Sequence, residues 1–192
     1  VEGVDYDYAA VDLRAGAQRD PTYLARNPQA LVPSLITDDG ATLTQSMAIA
    51  EYLEEAFPTP ACLPADAASR ARVRAVAATI ACEAQPFMNL RVQQYLKQDA
   101  GFADAALADW LRRWVGGALS AVETLLPEDG PFAFGETPGL ADAFIAPQLY
   151  GSKRFGIDVS PFPKLMRVDA AAQTHPAFLA AHPDNQPDAP AP

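Results

Sequence analysis

Prolines divide this chain before anything else does. Pro58, Pro60 and Pro64 all fall between Phe57 and Ala65. A segment short of amide donors at three points continues neither a helix nor a central strand. Ahead of it, strand-like and helix-like patterns alternate; beyond it the pattern is helical almost to the end. The sequence therefore predicts an α/β module over residues 1–57, a linker over 58–66 and an all-helical module over 67–182. Residues 183–192 hold four prolines and no sustained apolar pattern, which predicts a mobile tail.

Composition narrows the function classes. With 192 residues and 49% hydrophobic content, the chain can bury a core and is not disordered throughout. A net charge of −10 excludes nucleic-acid binding by bulk charge. No apolar run approaches the roughly 20 residues of a bilayer span, and no charged-then-apolar leader opens the chain. A cytoplasmic protein without membrane association is expected. Cys62 and Cys82 lack metal or redox spacing, and His175 and His182 are too few for a histidine metal site or a Ser-His-Asp triad, so no metal is expected.

Within the first module, Val4, Tyr6, Tyr8 and Ala10 alternate with Asp5, Asp7 and Ala9, predicting a strand up to Val11. Asp20-Pro21 predicts a helix start and Asn27-Pro28 its stop. Ser34–Thr37 and Ala41–Thr44 flank Asp38-Asp39-Gly40, a hairpin pattern. Ser46 is expected to cap a helix from Met47 to about Ala56. Beyond the linker, one long helix from about Ala67 to Leu96 is expected to kink at Pro86. Further helices are predicted from about Ala103 to Leu126, with Gly116-Gly117 permitting close packing, and from Leu140 to about Arg154, interrupted by Pro147. Lys164–Gln173 and Pro176–Ala181 complete the set.

The stretch from Asn27 to Glu55, NPQALVPSLITDDGATLTQSMAIAEYLEE, carries the chemistry. A proline opening a strand leaves the backbone of the preceding residue, Val32, available to an extended peptide. Taken alone, Pro33 is more often an ordinary loop-to-strand proline. Gln45-Ser46 then falls where a strand gives way to a helix, and free N–H groups there suit a carboxylate. Taken alone, Ser46 is an ordinary cap; the two features together point to a peptide ligand with a carboxylate end.

That stretch, extended through AFPTPACLP, resembles the glutathione-binding half of glutathione transferases, most of all the zeta class with its maleylacetoacetate and maleylpyruvate isomerases. The resemblance continues through QPFMNLRVQQYL and GETPGLADAFIAPQLY, covering all but the tail. It implies a thioredoxin-like module joined to a helical module, glutathione as cofactor and a homodimer. Val32, before cis Pro33, would pair with the cysteinyl backbone of glutathione. Gln45 and Ser46 would hold its γ-glutamyl carboxylate, Gln18 its glycine end, and Glu83 the amine across the dimer; Glu83 is otherwise an ordinary acidic helix residue. Arg91 and Arg154, with Asn89 nearby, would bind the carboxylates of a small dicarboxylate substrate, although each arginine alone is more commonly a surface salt-bridge partner. An acidic protein binding a dianion needs such a local positive pocket. Asp142 matches the family's helix-capping box, with Gly139 in place of its hydroxyl residue.

The resemblance implies a cis–trans isomerase: glutathione thiolate adds to the maleyl double bond, the bond rotates, and loss of the thiolate gives the fumaryl isomer. The arginine pair favours maleylpyruvate over maleylacetoacetate. A transferase for small electrophiles such as α-haloacids, and a non-catalytic glutathione-binding protein, are the alternatives. The family also has a strand and helix, bearing the serine motif that stabilises the thiolate, ahead of the residue aligned with Val1. A longer protein is therefore expected, the thiolate-stabilising catalytic residue is unknown, and an intact mass of 20.4 kDa would overturn that expectation.

Overall fold

The computed structural model describes residues 3–189, which fall into two compact units divided between Ala61 and Cys62. The first contains a 3-10 turn (Ala17–Arg19), α1 (Pro21–Leu24), β1 (Ser34–Ile36), β2 (Thr42–Thr44) and α2 (Ser46–Ala56). β1 and β2 form an antiparallel hairpin with Leu35 opposite Leu43. Gly40 makes its turn possible: at φ 85° it occupies the left-handed region, and its N–H donates to Thr37 O at 2.8 Å. The Asp-Gly pattern had predicted this element.

Two expectations for this unit are corrected. Residues 3–12 form no strand; among the described residues the sheet has two strands, β1 and β2. Alternation marks which face of a strand would be apolar, but a strand exists only with a ladder partner, and Tyr6 is instead 70% exposed. Ser46 does not cap α2. It is the first helical residue, and Gln45 holds the cap position at φ 71° without a side-chain bond to the helix.

The second unit comprises α3 (Ala67–Glu83), α4 (Gln85–Met88), α5 (Leu90–Gln98), α6 (Asp104–Leu125), α7 (Leu140–Arg154), α8 (Pro163–Ala172) and α9 (Pro176–Ala181). α3 packs on α6 and α7, and α8 packs on both of those. Val73, Val76, Ala77 and Ile80 form the inward stripe of α3 and meet Val115, Leu119 and Val122 of α6 and Ile145 and Leu149 of α7 in one core.

The two helix prolines behave differently. The expected long helix ends at Glu83 and restarts twice, with Pro86 in the first turn of α4, where a missing N–H goes unnoticed. Asn89 then leaves the helical conformation (ψ 138°) and caps α5, its Oδ1 accepting from Arg91 N at 3.1 Å. Pro147 does not interrupt α7. Ile145 and Leu149 flank it, both wholly buried. Two such side chains, each stabilising by about 1.5–3 kcal/mol, offset the roughly 3 kcal/mol that a proline costs inside a helix.

Smaller features complete the unit. Gly116 and Gly117 face open space: a Cβ at either would meet nothing within 4 Å among the described residues. Glu123 of α6 caps α8, its carboxylate oxygens accepting from Lys164 N at 2.9 Å and Leu165 N at 3.0 Å. Where a mobile tail was expected, residues 183–185 form a 3-10 turn, and Asn185 and Gln186 donate to the carbonyls of Leu179 and Ala180. Residues 190–192 of that tail lie outside the described residues. No helix among the described residues is long and apolar enough to cross a membrane.

Candidate functional site

In the first unit the hairpin presents an exposed edge. Ser34 pairs with Thr44 at the end of the ladder, so Val32 and Pro33 lead into β1 at the same end of the hairpin where Gln45 and Ser46 lead out of β2. All four are exposed at the open end of the hairpin. The Val32–Pro33 bond is cis, and no backbone group among the described residues bonds to Val32. α2 begins here without an acidic residue in its first turn and without a side-chain cap. Its first N–H groups are therefore free to receive an anion. Gln45 pays for its place in backbone strain, since a φ of 71° is rarely adopted by a non-glycine residue.

Gln18, in the 3-10 turn, is 8% exposed, and its Oε1 is buried without a hydrogen-bond partner. An orphaned acceptor of this kind costs about 1–3 kcal/mol unless a ligand donor meets it.

Behind the exposed edge lies a polar cluster that sequence reasoning missed. Asn27, 1% exposed, donates from Nδ2 to Leu31 O at 2.7 Å and to Ser34 Oγ at 3.3 Å. Its Oδ1 accepts from Gln29 N at 3.0 Å. The Tyr23 hydroxyl donates to the same Leu31 carbonyl at 2.6 Å. Gln29 Oε1 in turn accepts from Gln45 Nε2 at 2.7 Å. In sequence, Asn27-Pro28 signals only a helix stop; the habit of asparagine of bonding nearby backbone is the clue to its further role.

In the second unit, Arg91 opens α5 and Arg154 ends α7, both exposed. Neither guanidinium is engaged by a carboxylate among the described residues, so the ordinary salt-bridge explanation does not apply. Met88 relates their helices. Gln148 Nε2 of α7 donates to Met88 Sδ at 2.9 Å, and a Cβ at Gly151 would lie 3.2 Å from Met88 Cε. Arg91 is three residues past Met88 (91 − 88) and Arg154 three past Gly151 (154 − 151). Asn89, half-buried, uses Oδ1 as a helix cap. Glu83 is exposed at the end of α3 and lines a groove of about 350 Å³ with Thr79, Arg113, Trp114 and Gly117.

Asp142 is structural. Its oxygens accept from Ala133 N at 2.8 Å and Gly139 N at 2.9 Å, and burial pushes its carboxyl above the usual range against the pull of those two amides. Gly139 leaves room for the Cys62 carbonyl oxygen, from which a Cβ would lie only 2.8 Å.

A family model described as the glutathione S-transferase N-terminal domain matches residues 2–56. The maleylacetoacetate isomerase of Pseudomonas aeruginosa is 46% identical over 100% of this chain and 90% of its own length. The solved holo structure of a maleyl pyruvate isomerase, described as a bacterial glutathione S-transferase in the zeta class, superposes with a TM-score of 0.94 at 43% identity, covering 98% of this chain and 90% of the other. The chain is a zeta-class glutathione transferase. In this family's terms, the first unit is the thioredoxin-like part and the second the helical part. A maleylacetoacetate isomerase from Anaeromyxobacter dehalogenans, solved with glutathione in its active site, is a further neighbour: TM-score 0.85, 44% identity, 98% of this chain and 88% of that one.

Proposed function

We propose that this zeta-class transferase is a glutathione-dependent cis–trans isomerase of maleylpyruvate, with maleylacetoacetate as the alternative substrate of the same site. The observation that carries the reading is the uncapped, acid-free start of α2 at the same end of the hairpin as Val32, whose backbone has no partner among the described residues, a place suited to a peptide with a carboxylate end. The residues present fit glutathione. Val32 supplies backbone groups for the cysteinyl unit, Gln45 and Ser46 supply donors for the γ-glutamyl carboxylate, and Gln18 offers its orphaned acceptor to the glycine-end amide. When bound, glutathione supplies a thiolate nucleophile for the maleyl double bond.

The chain's own residues bind and orient. Arg91 and Arg154 grip the two carboxylates of the substrate, and their positive charge supports the negative charge that develops on it. Without a counter-charge among the described residues, both are available to do so in a chain of net charge −10. The protein works as a cytoplasmic homodimer, with Glu83 facing the glutathione amine of the other subunit.

The test is turnover of maleylpyruvate and of maleylacetoacetate by the purified protein, followed by absorbance with and without glutathione. Glutathione-dependent isomerisation is expected, with the higher kcat/KM for maleylpyruvate; turnover indifferent to glutathione defeats the reading. Arg91→Ala should raise the substrate KM by roughly tenfold or more, the loss of one charge-assisted contact. An unchanged KM removes Arg91 from the site.

A further inference from the structure

We infer that Asn27 is a positioning residue that aims both the cysteinyl-binding and the γ-glutamyl-binding groups of the glutathione site, with Tyr23 and Gln29 as its relays; this rests on the glutathione reading above. The amide side chain works in two directions. Its Nδ2 and the Tyr23 hydroxyl both donate to Leu31 O, at 2.7 and 2.6 Å, filling the two acceptor positions of one carbonyl. The Leu31–Val32 peptide is trans, so its C=O and N–H point opposite ways in one plane. Holding Leu31 O against buried Asn27 therefore turns the Val32 N–H away from it, toward the exposed edge where a peptide ligand would pair.

The other end of the same amide serves the other half of the site. Asn27 Oδ1 holds Gln29 N at 3.0 Å, and Gln29 Oε1 holds Gln45 Nε2 at 2.7 Å. Gln45 is exposed and its backbone sits at φ 71°, so nothing in its own conformational preference keeps its amide in place. The Asn27–Gln29 link does. Pre-ordering both groups removes an entropic penalty that ligand binding would otherwise carry.

Because the two directions use chemically different atoms, they can be separated. Asn27→Asp keeps the acceptor for Gln29 N and removes the donor to Leu31 O. Tyr23→Phe weakens the Leu31 anchor, together with a 3.1 Å contact to Ser34 Oγ, and leaves the Gln29 link in place; Gln29→Ala severs the relay to Gln45. Titration calorimetry with glutathione, thermal melting, and separate KM values for glutathione and the maleyl substrate are the measurements. Asn27→Asp should weaken glutathione binding roughly tenfold, and the two relay variants a few-fold each, while the substrate KM at saturating glutathione stays put. In a Gln45→Ala background the Gln29→Ala effect should vanish and the Tyr23→Phe effect persist. A residue that merely stabilised the fold would lower melting temperature without that pattern.

Wild-type protein that binds no glutathione overturns this inference and the functional reading together. Wild-type binding with an equal Kd in folded Asn27→Asp overturns the positioning role alone. Should Asn27→Asp fail to fold, the Tyr23→Phe/Gln29→Ala double variant takes its place, with unchanged affinity again the overturning result.

Discussion

The two units are ordered by different forces. Among the described residues every buried apolar side chain lies at Cys62 or beyond, whereas the buried residues of the first unit are Gln18, Asn27 and Glu54. The helical unit is held by apolar area, which is large and non-directional. The hairpin unit places its exposed edge by hydrogen bonds, which are individually modest but fix direction. Stability and ligand geometry are thereby assigned to different parts of the sequence. A substitution in one should leave the other's property largely intact.

The severest challenge to that division is Leu149→Ala. Leu149 is wholly buried between α7 and its neighbours, so a loss of about 2–5 kcal/mol is expected, read by denaturant unfolding. The glutathione Kd of the folded protein should not move; if it shifts in parallel, the two properties are not separate. Next in size is Gly139→Ser, which would add a capping hydroxyl at the start of α7. Serine caps a helix better than glycine by only a few tenths of a kcal/mol, while its Cβ meets the Cys62 carbonyl oxygen at 2.8 Å. Overpacking should prevail, at about 1–3 kcal/mol of destabilisation; a higher melting temperature would show that hydrogen bonding governs even here.

The smallest expected effect is a pH dependence in the helical unit. Asp66 accepts from Ser69 N at 2.9 Å, and this bond holds its carboxyl below the ordinary value of 3.8. A depressed folded-state value means that the cap stabilises above pH 3.8 and is lost as pH falls through that lower value. The melting-temperature gap between wild type and Asp66→Ala should be open at neutral pH and close in acid. A gap independent of pH would show that the carboxylate is not what caps α3. Asp142, raised by burial, has the opposite sign: its contribution is complete when protonated and falls as pH climbs through its raised value.

Much of the fold was legible because its causes are local. Asp38-Asp39-Gly40 specifies a hairpin turn by itself, and the apolar spacing of Val73, Val76, Ala77 and Ile80 specifies the inner face of α3 without reference to what it packs on. The candidate positions Val32, Pro33, Gln45 and Ser46 rest on equally local features, since strand end and helix start adjoin in sequence. What escaped reading depended on partners far along the chain or on conformations a residue type does not advertise. Pro86 and Pro147 are chemically the same and differ in outcome because only one is flanked by wholly buried Ile145 and Leu149. Nothing about a glutamine announces φ 71° at Gln45. Asn27 announces a turn, but which carbonyl it will hold depends on how residues 28–34 fold back on it. The alternation around Tyr6 and Tyr8 promised a strand that has no ladder in β1 or β2.

Glu123 gives α8 its beginning. A helix of ten residues is marginal alone, and this one has no side-chain cap from its own Phe162. Its opening amides at Lys164 and Leu165 are met only by a carboxylate belonging to α6. α8 thus has no frayed first turn to visit while α6 stands, and the two helices, 41 residues apart along the chain at that bond, melt and form as one cooperative piece.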